Sequence, residues 1–242
     1  MLINEKMKMA DVIIHDPTLV PVINRFGIYL GFGDATIKEI CHKKNLNVQF
    51  FITIINAFHD SQYFPARQLQ NFSVELIIDY LQKAHRYFLE DKLPEISELI
   101  EETIADTTDQ GSPFMVILKF LTRYKEELTR HIGREEETVY PYVLKLNAAL
   151  LSGEVDDALK KQVQNMPIEK YEAEHENVEA KIFDLKNIII RHLPVPNNQR
   201  LWYKILREIF TLEKELNEHA RIEDLILVPK VEIMEQMILT GK

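Results

Sequence analysis

The chain has 242 residues, of which 46% are apolar and 28% are charged, so it can bury a substantial core and is too apolar for a disordered protein. Its seven glycines are few for a fold with many tight turns, which disfavours a many-stranded β protein and favours an all-α one. The net charge of −9 argues against duplex nucleic acid as a partner, and no apolar run reaches the roughly 18 residues of a membrane span.

Residues 1–66 are predicted to form a small domain of short helices. Six Lys and Arg residues balance six Asp and Glu residues there, so the whole negative excess lies in residues 67–242. A stretch rich in Gln, Pro and Ser, residues 61–70, has the composition of a linker. The only cysteine, Cys41, excludes an internal disulfide and a thiolate zinc cluster, and we expect a cytoplasmic protein with Cys41 as a small buried residue.

Two helices are expected near the end of this domain. Asp34 is predicted to cap a helix that extends to about residue 44, and Asn47 to cap another that extends to about residue 58. One alternative interpretation is a DNA-binding helix-turn-helix over residues 17–60, since three lysines cluster near its second helix: Lys38, Lys43 and Lys44. The neutral charge of the segment weighs against that alternative.

Residues 67–242 are predicted to form a four-helix up-down bundle. Apolar residues recur there with a 3.6-residue period in four long segments, and capping residues or prolines mark the starts of several of them. The segments are about 72–106, 113–151, 167–192 and 198–238. Four such helices joined by shorter connections are typical of a bundle.

Two of the four helices contain the same motif, H-x3-E-x5-P, and the other two supply one histidine each. The motif residues are His131, Glu135 and Pro141 in the second helix and His219, Glu223 and Pro229 in the fourth, 88 residues later, and the single histidines are His85 and His175. A lone H-x3-E pair on a helix is usually a surface ion pair. Two copies together with two further histidines favour a dinuclear metal site.

The six polar side chains all fall on the apolar stripes of their helices. In the second helix the stripe comprises Phe114, Ile117, Leu118, Leu121 and Leu128, followed by His131 and Glu135. Because burying an unpaired carboxylate is costly, the group needs a compensating charge, which metal cations supply. Residues i and i+4 lie about 6 Å apart along the axis, so each His–Glu pair can face one cluster. Two carboxylates can bridge two metal ions, and the ligand set suits iron, manganese or zinc without selecting among them.

Other polar residues near these positions leave alternatives open. Glu127 and Glu174 lie beside predicted ligands and act either on the site or as solvated charges. Glu179 forms a third i, i+4 pair with His175; we interpret it as a solvent-side group, although it could replace another ligand. His192 is about 25 Å along the helix from His175 and cannot reach the cluster. Surface or capping roles are expected for three more histidines: His15, His42 and His59.

Three segments resemble the hemerythrin-like cation-binding domain: HIGREEETVYP at 131–141, EHE at 174–176 and HARIEDLILVP at 219–229. The order of the two parts along the chain, a small helical part followed by the bundle, is similar over about residues 9–235 to the repair of iron centres family, whose di-iron bundle follows a small helical domain. The resemblance implies two iron ions bridged by oxide or hydroxide, although the donor set also admits manganese or zinc. It implies terminal ligands at His85, His131, His175 and His219, bridging ligands at Glu135 and Glu223, and a route to the cluster lined by Glu127 and Glu174.

The N-terminal part of the resemblance covers VPVINRF at 20–26, GIYLGFG at 27–33 and the helix over 36–45. Members of the family with repair activity typically have adjacent cysteines after the Gly-Ile dipeptide, where this chain has Gly31 and Phe32. This difference weighs against a mechanism that passes iron or electrons through paired thiols.

Two functions follow from the resemblance. The first is iron–sulfur cluster repair under nitrosative or oxidative stress, in which the site donates iron to apo iron–sulfur proteins or reacts with nitric oxide or peroxide. The second is a binding or sensing module, in which the site binds dioxygen or nitric oxide without turnover and the N-terminal helices report its occupancy. An oxygenase or ferritin-like oxidase is disfavoured, because carboxylate-rich Glu-x-x-His sites are expected there.

Overall fold

The computed structural model describes residues 2–60, 62–105, 113–173, 178–193 and 198–241. These residues form helices joined by short loops, with one isolated β-bridge between Lys8 and Thr36 and no strand within the described ranges. The all-α prediction is therefore confirmed. None of the described helices is both long enough and apolar enough to cross a membrane.

The N-terminal part contains five short α-helices and a 3-10 turn at Pro17–Leu19. The helices are α1 (Met9–His15), α2 (Val20–Arg25), α3 (Ile37–Lys43), α4 (Val48–His59) and α5 (Ala66–Leu69). Asn47 caps α4 as predicted, because its side chain accepts a hydrogen bond from the Phe50 N–H.

The predicted cap of α3 is wrong. Thr36 occupies that position in a capping box, in which its hydroxyl accepts a bond from the Glu39 N–H and the Glu39 carboxylate accepts one from the Thr36 N–H. Asp34 lies two residues earlier and pairs instead with Lys8, at 2.8 Å. Cys41 lies buried in α3, as predicted.

Four long segments form the bundle, and within the described residues the first, second and fourth contain a π-helical turn. The first is α6 (Val74–Arg86), a turn at Tyr87–Lys92 and α7 (Leu93–Ala105); the second is α8 (Pro113–Arg134), a turn at Glu135–Val139 and α9 (Tyr140–Ser152). After α10 (Asp157–Asn165), the third comprises α11 (Ile168–Ala173) and α12 (Val178–His192), and the fourth is α13 (Gln199–Ile222), a turn at Glu223–Leu227 and α14 (Val228–Thr240).

Two hydrophobic clusters fill the interior. One joins the N-terminal helices to one end of the bundle and includes Phe51, Leu81 and Ile226, and the other fills the opposite end and includes Leu121 and Ile205. Along the first, second and fourth helices the polar residues of the predicted site lie near the boundary between the two clusters. The N-terminal helices thus share a core with the bundle, and the domain boundary at residue 66 stays a prediction.

Candidate metal centre

Four of the six predicted ligands converge in the middle of the bundle. They are His85 on α6, Glu135 directly after α8, His219 on α13 and Glu223 directly after α13. All four are buried, and one ligand atom from each lies within 4.8 Å of the others. The apolar stripes thus place these groups as their phase predicted, and no other such group of three or more occurs among the described residues.

The two buried imidazoles face each other. His85 Nε2 lies 3.1 Å from His219 Nε2 and 3.2 Å from Glu135 Oε2, and His219 Nε2 lies 3.4 Å from Glu223 Oε2. Only one of two facing imidazole nitrogens can donate to the other, so a neutral pair leaves a carboxylate oxygen without a proton to accept. A cation at this point of convergence satisfies both nitrogens and both carboxylates.

His131 joins the cluster through Glu135. Its Nε2 atom lies 3.0 Å from Glu135 Oε1, while the other oxygen of Glu135 faces His85. Glu135 is therefore placed between two histidines with one oxygen toward each, which is the arrangement that a bridging carboxylate requires.

The π turns determine where the carboxylates project. Glu135 and Glu223 are each the first residue of a turn, and their carbonyl oxygens accept the N–H groups of Tyr140 and Val228, five residues later. A π turn inserts one extra residue and changes the helix phase, and such turns are frequent at functional sites. The first helix also has a π turn just after His85, in which the Leu93 N–H donates to the Phe88 carbonyl.

Two residues that the sequence did not predict hold the ligands in place. Glu136 accepts a hydrogen bond from His85 Nδ1 at 2.8 Å, and Tyr140 donates one to Glu223 Oε1 at 2.8 Å. The Tyr140 ring also stacks on His85, with 5.8 Å between centroids and 6° between planes. A carboxylate on the second nitrogen of a ligating histidine fixes its orientation and makes it a better metal ligand.

The carboxylates around His85 favour a positive charge in the site. Burial lowers the pKa of His85, but hydrogen bonds to Glu135 and Glu136 and the charge of Glu223 outweigh burial and raise it to about 9. Burial and the neighbouring Glu223 also raise the pKa of Tyr140 well above 10, so its phenol remains a donor. The same carboxylates favour a metal cation at this position.

The donor set fits a metal ion. Imidazole nitrogens and carboxylate oxygens, with no thiolate, suit iron, manganese or zinc. His219 Nδ1 is buried and has no hydrogen-bond partner in the part of the chain that the structure describes. A cavity of about 50 Å³ adjoins the cluster, lined by residues that include Tyr140, Glu223 and Leu227, and it has room for a molecule of only a few atoms.

The remaining predicted site residues are not in this cluster. His175 and Glu174 lie outside the described residues, as does the side chain of Glu179. Glu127 is partly exposed and accepts a hydrogen bond from Lys181 at 2.6 Å, which lowers the pKa of its carboxyl.

The histidines that were predicted to have other roles lie away from the site. His15, His42 and His192 are exposed, and His59 pairs with Asp16 at 2.7 Å. The exposure of His15 and His42 agrees with the surface roles expected from the sequence, whereas His59 is mostly buried in its ion pair with Asp16.

Comparison with known proteins agrees with the geometry. The model of the hemerythrin HHE cation-binding domain family matches residues 76–231, a range that contains all six predicted ligands. The iron-sulfur cluster repair protein ScdA of Staphylococcus haemolyticus is 21% identical over 234 residues, which cover 95% of this chain and 99% of that protein. The iron-sulfur cluster repair protein YtfE of Yersinia pseudotuberculosis is 23% identical over 202 residues, covering 82% of this chain and 83% of that protein.

Proposed function

The chain belongs to the hemerythrin HHE cation-binding domain family, and we propose that it is a non-haem di-iron protein that acts in iron–sulfur cluster repair. In this proposal the site donates iron to damaged iron–sulfur proteins in the cytoplasm, or reacts with nitric oxide or peroxide. The observation that supports it is the buried convergence of His85, Glu135, His219 and Glu223 within 4.8 Å. The similarity to two iron-sulfur cluster repair proteins over most of their length supports the choice of process.

Six residues would hold the metal ions. His85, His131, His175 and His219 would each provide one imidazole, and Glu135 and Glu223 would each provide a carboxylate shared between the ions. Two iron ions in this donor set supply one-electron redox chemistry and open positions for a small ligand.

The protein's own groups orient the ligands and leave a small cavity beside them. Tyr140 and Glu136 hold Glu223 and His85 in one orientation, so the donor atoms are arranged before metal binds. The adjoining cavity of about 50 Å³ has room for a diatomic molecule or peroxide. A cavity of this size favours a reaction with a small ligand, or donation of the iron, over a reaction with a large organic substrate.

One observation favours the second candidate function, reversible binding or sensing of dioxygen or nitric oxide. Cys41 is fully buried, and burial raises the pKa of its thiol to about 11, so it is a poor thiolate at neutral pH. With Gly31 and Phe32 at the positions where repair-active relatives have cysteines, no thiol is available to relay iron. A sensing role does not need such a relay.

The metal content of protein purified without oxygen tests the proposal. We expect about two irons per chain in the wild type, lost in Glu135→Ala and in Glu223→Ala. The exposed neighbour Glu126 on the same helix provides the control, and Glu126→Ala should retain the metal. Little metal in the wild type after anaerobic iron loading would contradict the di-iron assignment.

Transfer experiments then separate the two functions. Repair predicts release of iron to an apo iron–sulfur acceptor, with the cluster of the acceptor restored. Sensing predicts reversible shifts of the iron absorption bands on exposure to nitric oxide or dioxygen, with the iron retained in the protein.

A further inference from the structure

Arg25, the last residue of α2, has its charged side chain buried between the two bundle helices that provide the facing histidines. Its Nη1 atom donates to the Tyr80 hydroxyl on α6 at 2.9 Å, and its Nη2 atom pairs with Glu215 on α13. The side chains of Arg25 and Glu215 are each 3% exposed. A residue from the N-terminal part of the chain therefore bridges α6 and α13.

The bridge lies close to the metal cluster along both helices. Tyr80 precedes His85 by five residues and Glu215 precedes His219 by four, which correspond to about 7.5 Å and about 6 Å along the helix axes. An α-helix is stiff over so short a length. Because α6 and α13 run in opposite directions between the two hydrophobic clusters, Tyr80 and Glu215 lie on opposite sides of the histidine pair along the bundle axis. Arg25 thus ties the two helices together across the level at which His85 Nε2 and His219 Nε2 lie 3.1 Å apart.

Aromatic packing provides a second connection. The Arg25 guanidinium carbon lies 4.8 Å from the ring centroid of Tyr87 and 6.0 Å from that of Phe88, both in the π turn just after His85. The Phe88 ring packs edge-on against the His219 ring, with 5.5 Å between centroids. Arg25 therefore supports the ring that packs against one of the proposed ligands.

Stability alone does not explain a buried ion pair at this position. Replacing such a pair with apolar residues of similar volume is often neutral or stabilising, because both charges lose their hydration. Arg25 Nε also lacks a hydrogen-bond partner among the described residues, which adds to the cost. The planar guanidinium does provide fixed geometry, since it bonds Tyr80 and Glu215 at the same time.

We infer that Arg25 is a positioning residue of the metal centre, and that the N-terminal helices are part of that centre through it. By bonding Tyr80 and Glu215 it sets the spacing of His85 and His219. The inference rests on the proposed function in one respect, which is that His85 and His219 bind metal. Phe26, the next residue, packs against Phe51 at 4.9 Å between ring centroids and so anchors Arg25 in the N-terminal core.

The test replaces the buried pair with apolar residues in the full-length chain. Arg25→Met combined with Glu215→Leu removes both charges, so the metal-free protein should unfold at or above the wild-type temperature. Titration of Co²⁺ into metal-free protein should show affinity weakened at least about tenfold, with shifted visible absorption bands. The matched control is Lys92→Met combined with Glu208→Leu, which removes a buried pair of 2.7 Å that does not involve the N-terminal helices. It should bind Co²⁺ like the wild type.

The outcomes distinguish this inference from the proposed function. A wild-type chain that takes up no Co²⁺ overturns both, whereas wild-type affinity and bands in the Arg25/Glu215 variant overturn the inference alone. Equal losses in the test and control variants also overturn it. If the double variant does not fold, Arg25→Lys decides, because it keeps the charge and loses the planar fork. We expect weaker Co²⁺ binding and shifted bands in Arg25→Lys, and wild-type values would contradict the inference.

Discussion

The hydrogen bond from Tyr140 to Glu223 should contribute to metal binding more than to the stability of the metal-free protein. The Tyr140 hydroxyl is buried and donates to Glu223 Oε1 at 2.8 Å, so Tyr140→Phe removes one bond and keeps the ring that stacks on His85. A hydrogen bond to a charged group contributes about 1.5–3 kcal/mol. Metal binding requires a Glu223 carboxylate held in one orientation, whereas the metal-free site requires of it only the 3.4 Å contact between Glu223 Oε2 and His219 Nε2. Tyr140→Phe should therefore destabilise the metal-bound protein more than the metal-free protein.

The expected result is metal affinity lowered by about 10- to 100-fold, which corresponds to about 1.4–2.8 kcal/mol. Calorimetric titration of metal into the metal-free protein measures the affinity, and urea unfolding of the metal-free form measures stability. Tyr142→Phe is the matched control, because Tyr142 lies on the same helix and its hydroxyl donates to the buried Glu235 at 2.6 Å. The control should lose stability and keep its metal affinity. Unchanged affinity in Tyr140→Phe, or equal affinity losses in both variants, would refute the reasoning.

Three further predictions concern titratable side chains. Glu136→Gln should weaken metal binding about tenfold in the same titration, because His85 loses its charged acceptor; unchanged affinity would contradict this role. Lys92→Met should lower the free energy of unfolding by about 1.5–3 kcal/mol in urea, since the buried Glu208 loses its bond to Lys92 and keeps only its bonds to the exposed Arg207, and adding Glu208→Leu should restore the stability; no rescue would refute this cause. Burial raises the pKa of Glu235 above its ordinary 4.5, so the folded wild type binds this proton more tightly than the unfolded chain. The free energy of unfolding of the wild type, measured relative to that of Glu235→Gln, should therefore fall as the pH rises from about 4.5 through the raised pKa of Glu235. A difference that is independent of pH would exclude this effect.

Helical periodicity predicted the bundle and the convergence of the four clustered side chains. The phase of an apolar stripe depends only on local sequence, so residues on that stripe face the interior whatever the packing of the helices. His85, Glu135, His219 and Glu223 lie on their stripes and meet at one point. The long helices and their bounds follow the same local rule, to within a few residues.

Contacts between distant parts of the chain could not be predicted in this way. Arg25 and Glu215 are 190 residues apart, and nothing in the sequence around either indicates the other. Glu136 and Tyr140 lie off the spacing of the motif, and their roles depend on which helix faces which. The error at Asp34 was of a different kind, because Thr36 and Glu39 formed a readable capping box and Asp34 was drawn to Lys8 by its charge.

The prolines of the motif explain why the helices change phase at the site. A proline inside an α-helix lacks an N–H and its ring clashes with the carbonyl four residues before, and a π turn relieves that clash by widening the helix. Pro141 and Pro229 each lie two residues after the last residue of a π turn, and Pro94 lies two residues after the turn that ends at Lys92. Among the described residues, each helix with a π turn therefore has a proline nine or ten residues after its histidine: Pro94 after His85, Pro141 after His131 and Pro229 after His219. The sequence contained the signal for all three turns, and its physical basis is the missing hydrogen bond of proline.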